Sequence, residues 1–450
     1  MDNKIGTDLT TGSVSHQLWK FSLPFFLANL LQSLYGVADA LIVGRFVGSA
    51  ALSGVSIGSQ VMMIFTLICM GITTGANILI AQYAGAKKTD ELIKTVGNTF
   101  TIALIGAVAM AVLGYSCCDW LLKLLNTPAE AFDQASGYLM VTLGGIFFVF
   151  VYNAICAVLR GQGDSKSPMI FVAVTSVLNI LLDILFVGTF KMEAMGAGLA
   201  TVLSQALCCV FAFVYLKARN FFAGYTFGSL KLQAEKVKLI LKLGIPVAVQ
   251  MASLSVSLTF VTAIINQYGV AASAAVGVGH KIESLATMPN MAVGNAATIM
   301  IGQNVGAGQN DRVKYIVRTA ILTCCAITVV TFTATQLFAE FFIGIFNTEP
   351  EVISYGALYI RIIAFTFIAH CFLSTCNGVA TAVGFPMLTL VATLVDSVVA
   401  RIPLCILLGG IWGITGVYIA MAAAPFAGLA ISAGYYLSGK WKTRQLLKAE

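Results

Sequence analysis

The chain has 450 residues, of which 58% are hydrophobic and only 10% charged, with a formal net charge of +7. A soluble domain carries roughly a quarter charged residues, so a soluble globular protein of this length is excluded, as is a disordered chain. The positive balance does not indicate nucleic acid, because the bases lie between apolar runs and not on one face of a folded module.

Cutting the apolar stretches at charge, Gly, Pro and polar clusters predicts twelve helices, over residues 18–43, 51–84, 96–117, 136–159, 168–188, 195–216, 240–266, 272–305, 316–338, 354–378, 386–408 and 412–437. Most of the charge-free runs behind them exceed the roughly 18 residues that mark a membrane span. Met1 to Lys20 lacks the apolar core and cleavage site of a signal peptide, so the first span is expected to be retained. An even count puts both termini on one side. With the N-terminus inside, twenty of the 26 Lys and Arg are cytoplasmic, Lys4 and Lys448 among them. Only Arg45, Lys123 and Lys191 fall outside, which is a strong positive-inside bias. The eleven cysteines lie in or beside apolar segments without paired spacing and read as small packing residues, not disulfides or metal ligands.

The stretch from Lys217 to Lys242 carries six bases and divides the chain. The expected organisation is a six-helix lobe over 1–216, a cytoplasmic linker over 217–239, and a second six-helix lobe over 240–450 ending in a short basic tail. The halves repeat. Gln82, Gly85, Ala86 and Asp90 recur as Gln303, Gly306, Ala307 and Asp311; Pro24 is echoed by Pro246, and Pro168-Met169 by Pro386-Met387. Six spans per half give both copies the same orientation, hence parallel repeats related by a pseudo-twofold axis along the membrane normal, with a cleft between them. That is the architecture of alternating-access transporters.

An ionisable group at the bilayer centre costs about 2.5–3.5 kcal/mol on insertion scales, so each one needs a reason. In the first span Asn29, Gln32, Tyr35 and Asp39 share a face by their 3- and 4-residue steps. In the fifth, Asn179 and Asp183 share one by i, i+4, and Thr201 follows the small-residue start of the sixth. Two carboxylates, an amide and a hydroxyl make an oxygen-rich site suited to a proton or a small hard cation. The bland reading leaves Asp183 hydrogen-bonding a neighbouring helix and Asp39 near an interface. The Pro168/Pro386 register sets Arg401 opposite Asp183 and Ser397 opposite Asn179, so cation coupling belongs to the first half. Arg401 needs a partner: Asp396, despite an i, i+5 spacing that an ideal α-helix does not favour, or a residue of another helix. Lys281 and Glu283 pair with a neighbouring helix or contact substrate. His370 bonds across helices or titrates. Gln32, Tyr35, Glu283, Met288, His370 and Arg401 form the candidate substrate-cleft set.

No phosphate-binding G-x-x-x-x-G-K-[ST] and no H-E-x-x-H is present, and three scattered histidines cannot cluster on zinc, so neither enzyme chemistry, nor a cofactor, nor direct ATP drive is expected.

Five motifs in order carry a family likeness: Asp39-Ala-Leu-Ile-Val-Gly44 with Ala50-Ala-Leu-Ser-Gly54; Gln82-Tyr-Ala-Gly-Ala86; its echo from Gln303; Arg160-Gly-Gln-Gly-Asp164 before Pro168; and Asn179-Ile-Leu-Leu-Asp183. Over its whole length the chain resembles the multidrug and toxic compound extrusion (MATE) family, in the bacterial branch of DinF-like and MepA-like exporters. The resemblance implies an all-α integral membrane protein of twelve spans in two six-helix bundles, V-shaped around a central cleft. It further implies export of cationic or amphipathic organic compounds from the bacterial cytoplasmic membrane in exchange for H+ or Na+; a complete two-lobe cleft in one chain makes a monomer sufficient. The family's cation cluster carries over onto Asp39, Asn179, Asp183 and Thr201, with Asn153 as a further member; Na+ would sit at Asp39, Asn179 and Asp183. A lipid-linked oligosaccharide flippase of the same superfamily, using Arg361, Arg401 and Lys281 on pyrophosphate, is the alternative.

Overall fold

A computed structural model describes residues 6–221, 225, 227–444 and 446–447; Lys4, Lys448, linker residues 222–224 and 226, and the other tail residues 445, 449 and 450 lie outside the described residues. The chain folds as α1 (Val14–Phe46), α2 (Ser49–Gly85), α3 (Thr89–Leu124), α4 (Ala129–Gly144), α5 (Ile146–Gly161), α6 (Lys166–Asp183), α7 (Glu193–Ala218), α8 (Ala234–Asn266), α9 (Val270–Gly306), α10 (Asn310–Leu337), α11 (Ala339–Gly344), α12 (Pro350–Ile363), α13 (Phe365–Ala382), α14 (Pro386–Leu394) and α15 (Ile402–Leu437). No strand occurs among the described residues. Hydrocarbon offers a backbone N–H no partner, so a spanning segment must close its own hydrogen-bond ladder as a helix does. The outward faces are large and apolar: Leu41, Val270 and Leu437 are 67%, 87% and 79% exposed, which suits lipid as the solvent.

Among the described residues, eight helices are long and apolar enough to cross a bilayer, and two bent pairs, α4 with α5 and α12 with α13, add one span each. Residues 386–437 pass through a kink at Trp412 and Gly413 and make two spans. The 37 residues of α9 complete the twelve. Gly413 holds the kink at φ +58°, ψ −145°, a conformation that side chains resist.

Three details differ from the sequence expectation. The spans expected as single helices at 136–159 and 354–378 are broken, by 51° after Gly144 and by 40° after Ile363. The Gly144-Gly145 pair weakens the ladder at the first break; nothing at Ala364 announces the second. Helix α8 begins six residues before the expected 240, which takes Lys236 and Lys238 out of the linker and into the helix.

Packing divides the chain into a first unit, Met1–Asp8 with Leu27–Ala248, and a second, Leu9–Phe26 with Val249–Glu450. The two repeats meet in sequence at the linker, whereas the packing units change over just after Pro24 in α1 and Pro246 in α8. A proline inside a helix removes one ladder bond, so the two parts of one helix can settle among different neighbours.

In the first unit, Leu122, Leu139, Leu143 and Phe150 pack around Val61 and Phe65. Helices α2 and α8 close at glycines: a Cβ on Gly75 would lie 2.6 Å from the Gly244 nitrogen. Such small-residue contacts replace hydrophobic driving force where lipid is as apolar as leucine. In the second unit, Tyr359, Tyr418, Val261, Ile265, Ile360 and Met421 form the core. A strap before α1 is tied to it by the repeated motif: Leu9 N–H donates to Gln303 Oε1 at 3.0 Å, and Asn304 Nδ2 to the Leu9 carbonyl at 3.0 Å. Arg312 donates to the Thr11 and Gly12 carbonyls at 2.9 Å each.

Candidate cation-coupling site

Within the first unit, α1 delivers Asp39 to the end of α6, where Asp183 lies fully buried and the two carboxyl groups come within hydrogen-bonding reach. A carboxyl–carboxyl hydrogen bond exists only if one partner carries a proton. Asn179, 1% exposed and one turn before Asp183, turns its amide between Asp183 and Thr201. With its nitrogen toward the carboxylate it donates to Asp183 Oδ2 at 2.7 Å and accepts from the Thr201 N–H at 3.3 Å. Tyr35 and Tyr138 reach the Thr201 hydroxyl, and Ser59 Oγ donates to the Tyr138 oxygen at 3.1 Å. Asp39 Oδ1 and Asp183 Oδ1 are buried without a hydrogen-bond partner among the described residues, as the donor set of an exchangeable cation would leave them.

Directly after Asp183 the backbone widens into a π-helical stretch, Ile184–Thr189, so the carboxylate sits at a helix irregularity of the kind that recurs at functional sites. Beside the cluster lies a polar cavity of about 50 Å³, lined among others by Gln32, Tyr35, Thr175, Ser176, Thr201 and Gln205. It has room for a few waters and not for a drug-sized molecule. Of the predicted set, Asp39, Asn179, Asp183, Thr201 and Tyr35 come together and Gln32 lines the cavity. Asn153 does not join them: its Nδ2 donates to the Val149 carbonyl of its own helix at 2.8 Å, the usual fate of a short amide inside a helix. Sequence reasoning missed Tyr138, Ser59, Ser176 and Gln205. The steps 176–179–183 and 201–204–205 continue the polar faces of α6 and α7 and were the available signal.

The remaining candidates belong to the second unit. Arg401 is paired with Asp396, its Nη2 donating to Oδ1 and Oδ2 at 3.1 and 3.3 Å. The i, i+5 spacing fits because Val395–Arg401 is a π-helix, whose wider turn brings fifth neighbours together. Glu283 Oε2 lies 3.2 Å from His280 Nδ1 and accepts from the Tyr359 hydroxyl at 2.9 Å. Lys281 is exposed and Met288 half-buried on the same helix. His370 lies on α13, within electrostatic reach of Glu283, Asp396 and Arg401. Arg361 donates to Glu340 Oε2 at 2.9 Å.

The MatE family model matches twice, over residues 24–185 and 246–407. The chain belongs to the MATE family. The two matches begin at Pro24 and Pro246 and so reproduce the internal duplication. Among similar proteins, the probable multidrug resistance protein YpnP of Bacillus subtilis is 30% identical over 442 residues, covering 98% of either chain. The probable multidrug resistance protein NorM of Thermotoga maritima is 28% identical over 445 residues, covering 97% of this chain and 95% of that one. A crystal structure of MATE in the straight conformation superposes with a TM-score of 0.91 at 22% identity, covering 98% of this chain and 99% of that one. As a MATE protein the chain is a multi-pass membrane transporter with the expected all-helical, twelve-span plan.

Proposed function

We propose that this MATE protein is a secondary antiporter of the bacterial cytoplasmic membrane, with both termini cytoplasmic, acting as a monomer by alternating access. It exports cationic or amphipathic organic compounds while a cation bound at Asp39, Asp183, Asn179 and Thr201 moves inward. The observation that carries this reading is the close approach of the Asp39 and Asp183 carboxyl groups, which calls for a shared proton or a bound cation between them and supports a cation-coupling role for the site. One proton moving inward supplies about 2.3 kcal/mol per 100 mV, and about 1.4 kcal/mol more per pH unit. The names of the relatives support the substrate class. The flippase alternative requires free cationic groups for pyrophosphate, and of its three bases Arg401 and Arg361 are committed to carboxylates, which leaves Lys281.

The test is ethidium efflux from vesicles holding the purified protein, with a pH gradient and a sodium gradient imposed separately, for the wild type and Asp183→Asn. The expected result is efflux driven by the pH gradient alone and abolished in the variant at unchanged protein level. Efflux driven by sodium alone would reassign the ion to Na+ held by Asp39, Asn179 and Asp183. Full efflux in Asp183→Asn would remove the site from the coupling role, and no efflux under either gradient would overturn the exporter reading.

A further inference from the structure

We propose that the second unit holds a proton-exchange site of its own, formed by His280 and Glu283 on one face of α9 with Tyr359 of α12, and sensed by His370 of α13. Three groups meet there. Glu283 Oε2 lies 3.2 Å from His280 Nδ1 and accepts from the Tyr359 hydroxyl at 2.9 Å, while that hydroxyl stands 3.3 Å from the same imidazole nitrogen. A neutral imidazole beside an ionised carboxyl leaves one net negative charge on this half-buried face of α9. One added proton, on Nδ1 or on the carboxyl, brings the pair to zero. Moving that proton between the two bases requires no rearrangement, and the phenol stays within reach of both.

The internal duplication shows that this acid–base pair is particular to the second unit. In both units a tyrosine ring lies against a glycine at the same repeat offset: Tyr138 over Gly58 in the first, Tyr359 over Gly279 in the second. At that register Ser59 is replaced by His280 and Met62 by Glu283. The first unit satisfies its tyrosine with the Ser59 hydroxyl at 3.1 Å, so the packing itself requires neither an imidazole nor a carboxyl. A charged pair at a position that serine and methionine fill elsewhere in the same chain calls for a role beyond packing.

The surroundings are as follows. From α13 comes His370, within electrostatic range of Glu283 and of the Asp396–Arg401 pair of the π-helical stretch; Arg401 is likewise within range of Tyr359. From α15, Tyr418 packs edge-on against Tyr359 with ring centres 5.1 Å apart. On α9 itself Lys281 is exposed. Helix α10 carries charge only over Asp311–Arg318, near its start, and Glu340 of α11 is bound to Arg361 of α12. His370 is therefore the titratable group of a neighbouring helix within range of a charge change at Glu283.

The chain has only three histidines, 16, 280 and 370, so imidazole nitrogen spectra of 15N-histidine-labelled full-length protein in lipid nanodiscs resolve each ring. The expected result is that the His280 ring changes protonation state as pH is varied across the range in which the protein stays folded, with a matching step in the His370 signals. In Glu283→Gln the His280 midpoint should move by about tenfold or more in proton concentration. Glu283→Met, which installs the residue that the first unit carries, should act alike and guards against misfolding of the glutamine variant. His280→Gln should erase the step at His370. A His280 ring that keeps one protonation state across this range, or a midpoint that stays within about twofold in both Glu283 variants, overturns the proposal. The spectra do not depend on transport, so they stand or fall separately from the efflux test of Asp183.

Discussion

Removing one member of the Asp396–Arg401 pair should destabilise the second unit far more than removing both. The two side chains are 7% and 8% exposed, and Arg401 Nη2 reaches both carboxylate oxygens at 3.1 and 3.3 Å. Asp396→Asn leaves a guanidinium buried without a counter-charge, which costs about 3–5 kcal/mol, whereas an apolar pair of similar volume is neutral to about 4 kcal/mol stabilising. Asp396→Leu/Arg401→Met should therefore recover the loss of either single variant. The coupling energy of the double-mutant cycle should exceed about 2 kcal/mol, near the upper part of the range for contacting residues. Reversible unfolding of the purified protein in mixed micelles, followed by tryptophan fluorescence, measures all four states. Losses that simply add would show that Arg401 is solvated or held elsewhere and would refute the pairing.

Four further outcomes are expected. Gly75→Ala should lower unfolding stability by about 1–3 kcal/mol, because its Cβ meets the Ile240 carbonyl oxygen at 2.5 Å and the Gly244 nitrogen at 2.6 Å. Gly36→Ala, which meets nothing within 4 Å, should be neutral or slightly stabilising in the same assay. Gly413→Ala should cost about 1–3 kcal/mol, since φ +58° with ψ −145° is strained for any side chain. Asn153→Ala should retain ethidium efflux within about twofold, as its amide serves only its own helix; a loss of about tenfold would return it to the coupling cluster.

The sequence made the spans legible because lipid enforces one rule, an apolar run closed as a helix, and the kinks at Gly144-Gly145 and Gly413 carry their own glycine mark. The break at Ala364 carries none, since a bend that follows from packing leaves no composition to read. Asp39, Asn179, Asp183 and Thr201 were readable because intramembrane polar residues are few and 3- and 4-residue steps define faces. Tyr138 and Gln205 were hidden among tyrosines and amides that any helix bundle contains. The Asp396–Arg401 pair was half visible: the residues were plain, but their fifth-neighbour spacing makes sense only in a π-helical turn that no local signal announced. His280, Glu283 and Tyr359 come from helices 76 residues apart, a juxtaposition that periodicity cannot supply.

The strap at Leu9 sets a timetable for biosynthesis. Its acceptor, Gln303, follows 294 residues later in the chain, so at about 5–20 residues per second roughly 15–60 s of translation separate the two. During that interval the segment from Leu9 to Phe26 is already out of the ribosome while the helices it will pack with are not yet made. A ribosome stalled in the linker would leave a first half whose Leu9–Phe26 segment lacks the helices it packs with. Separately translated halves should consequently accumulate only when produced together, each supplying the other's missing helix segment.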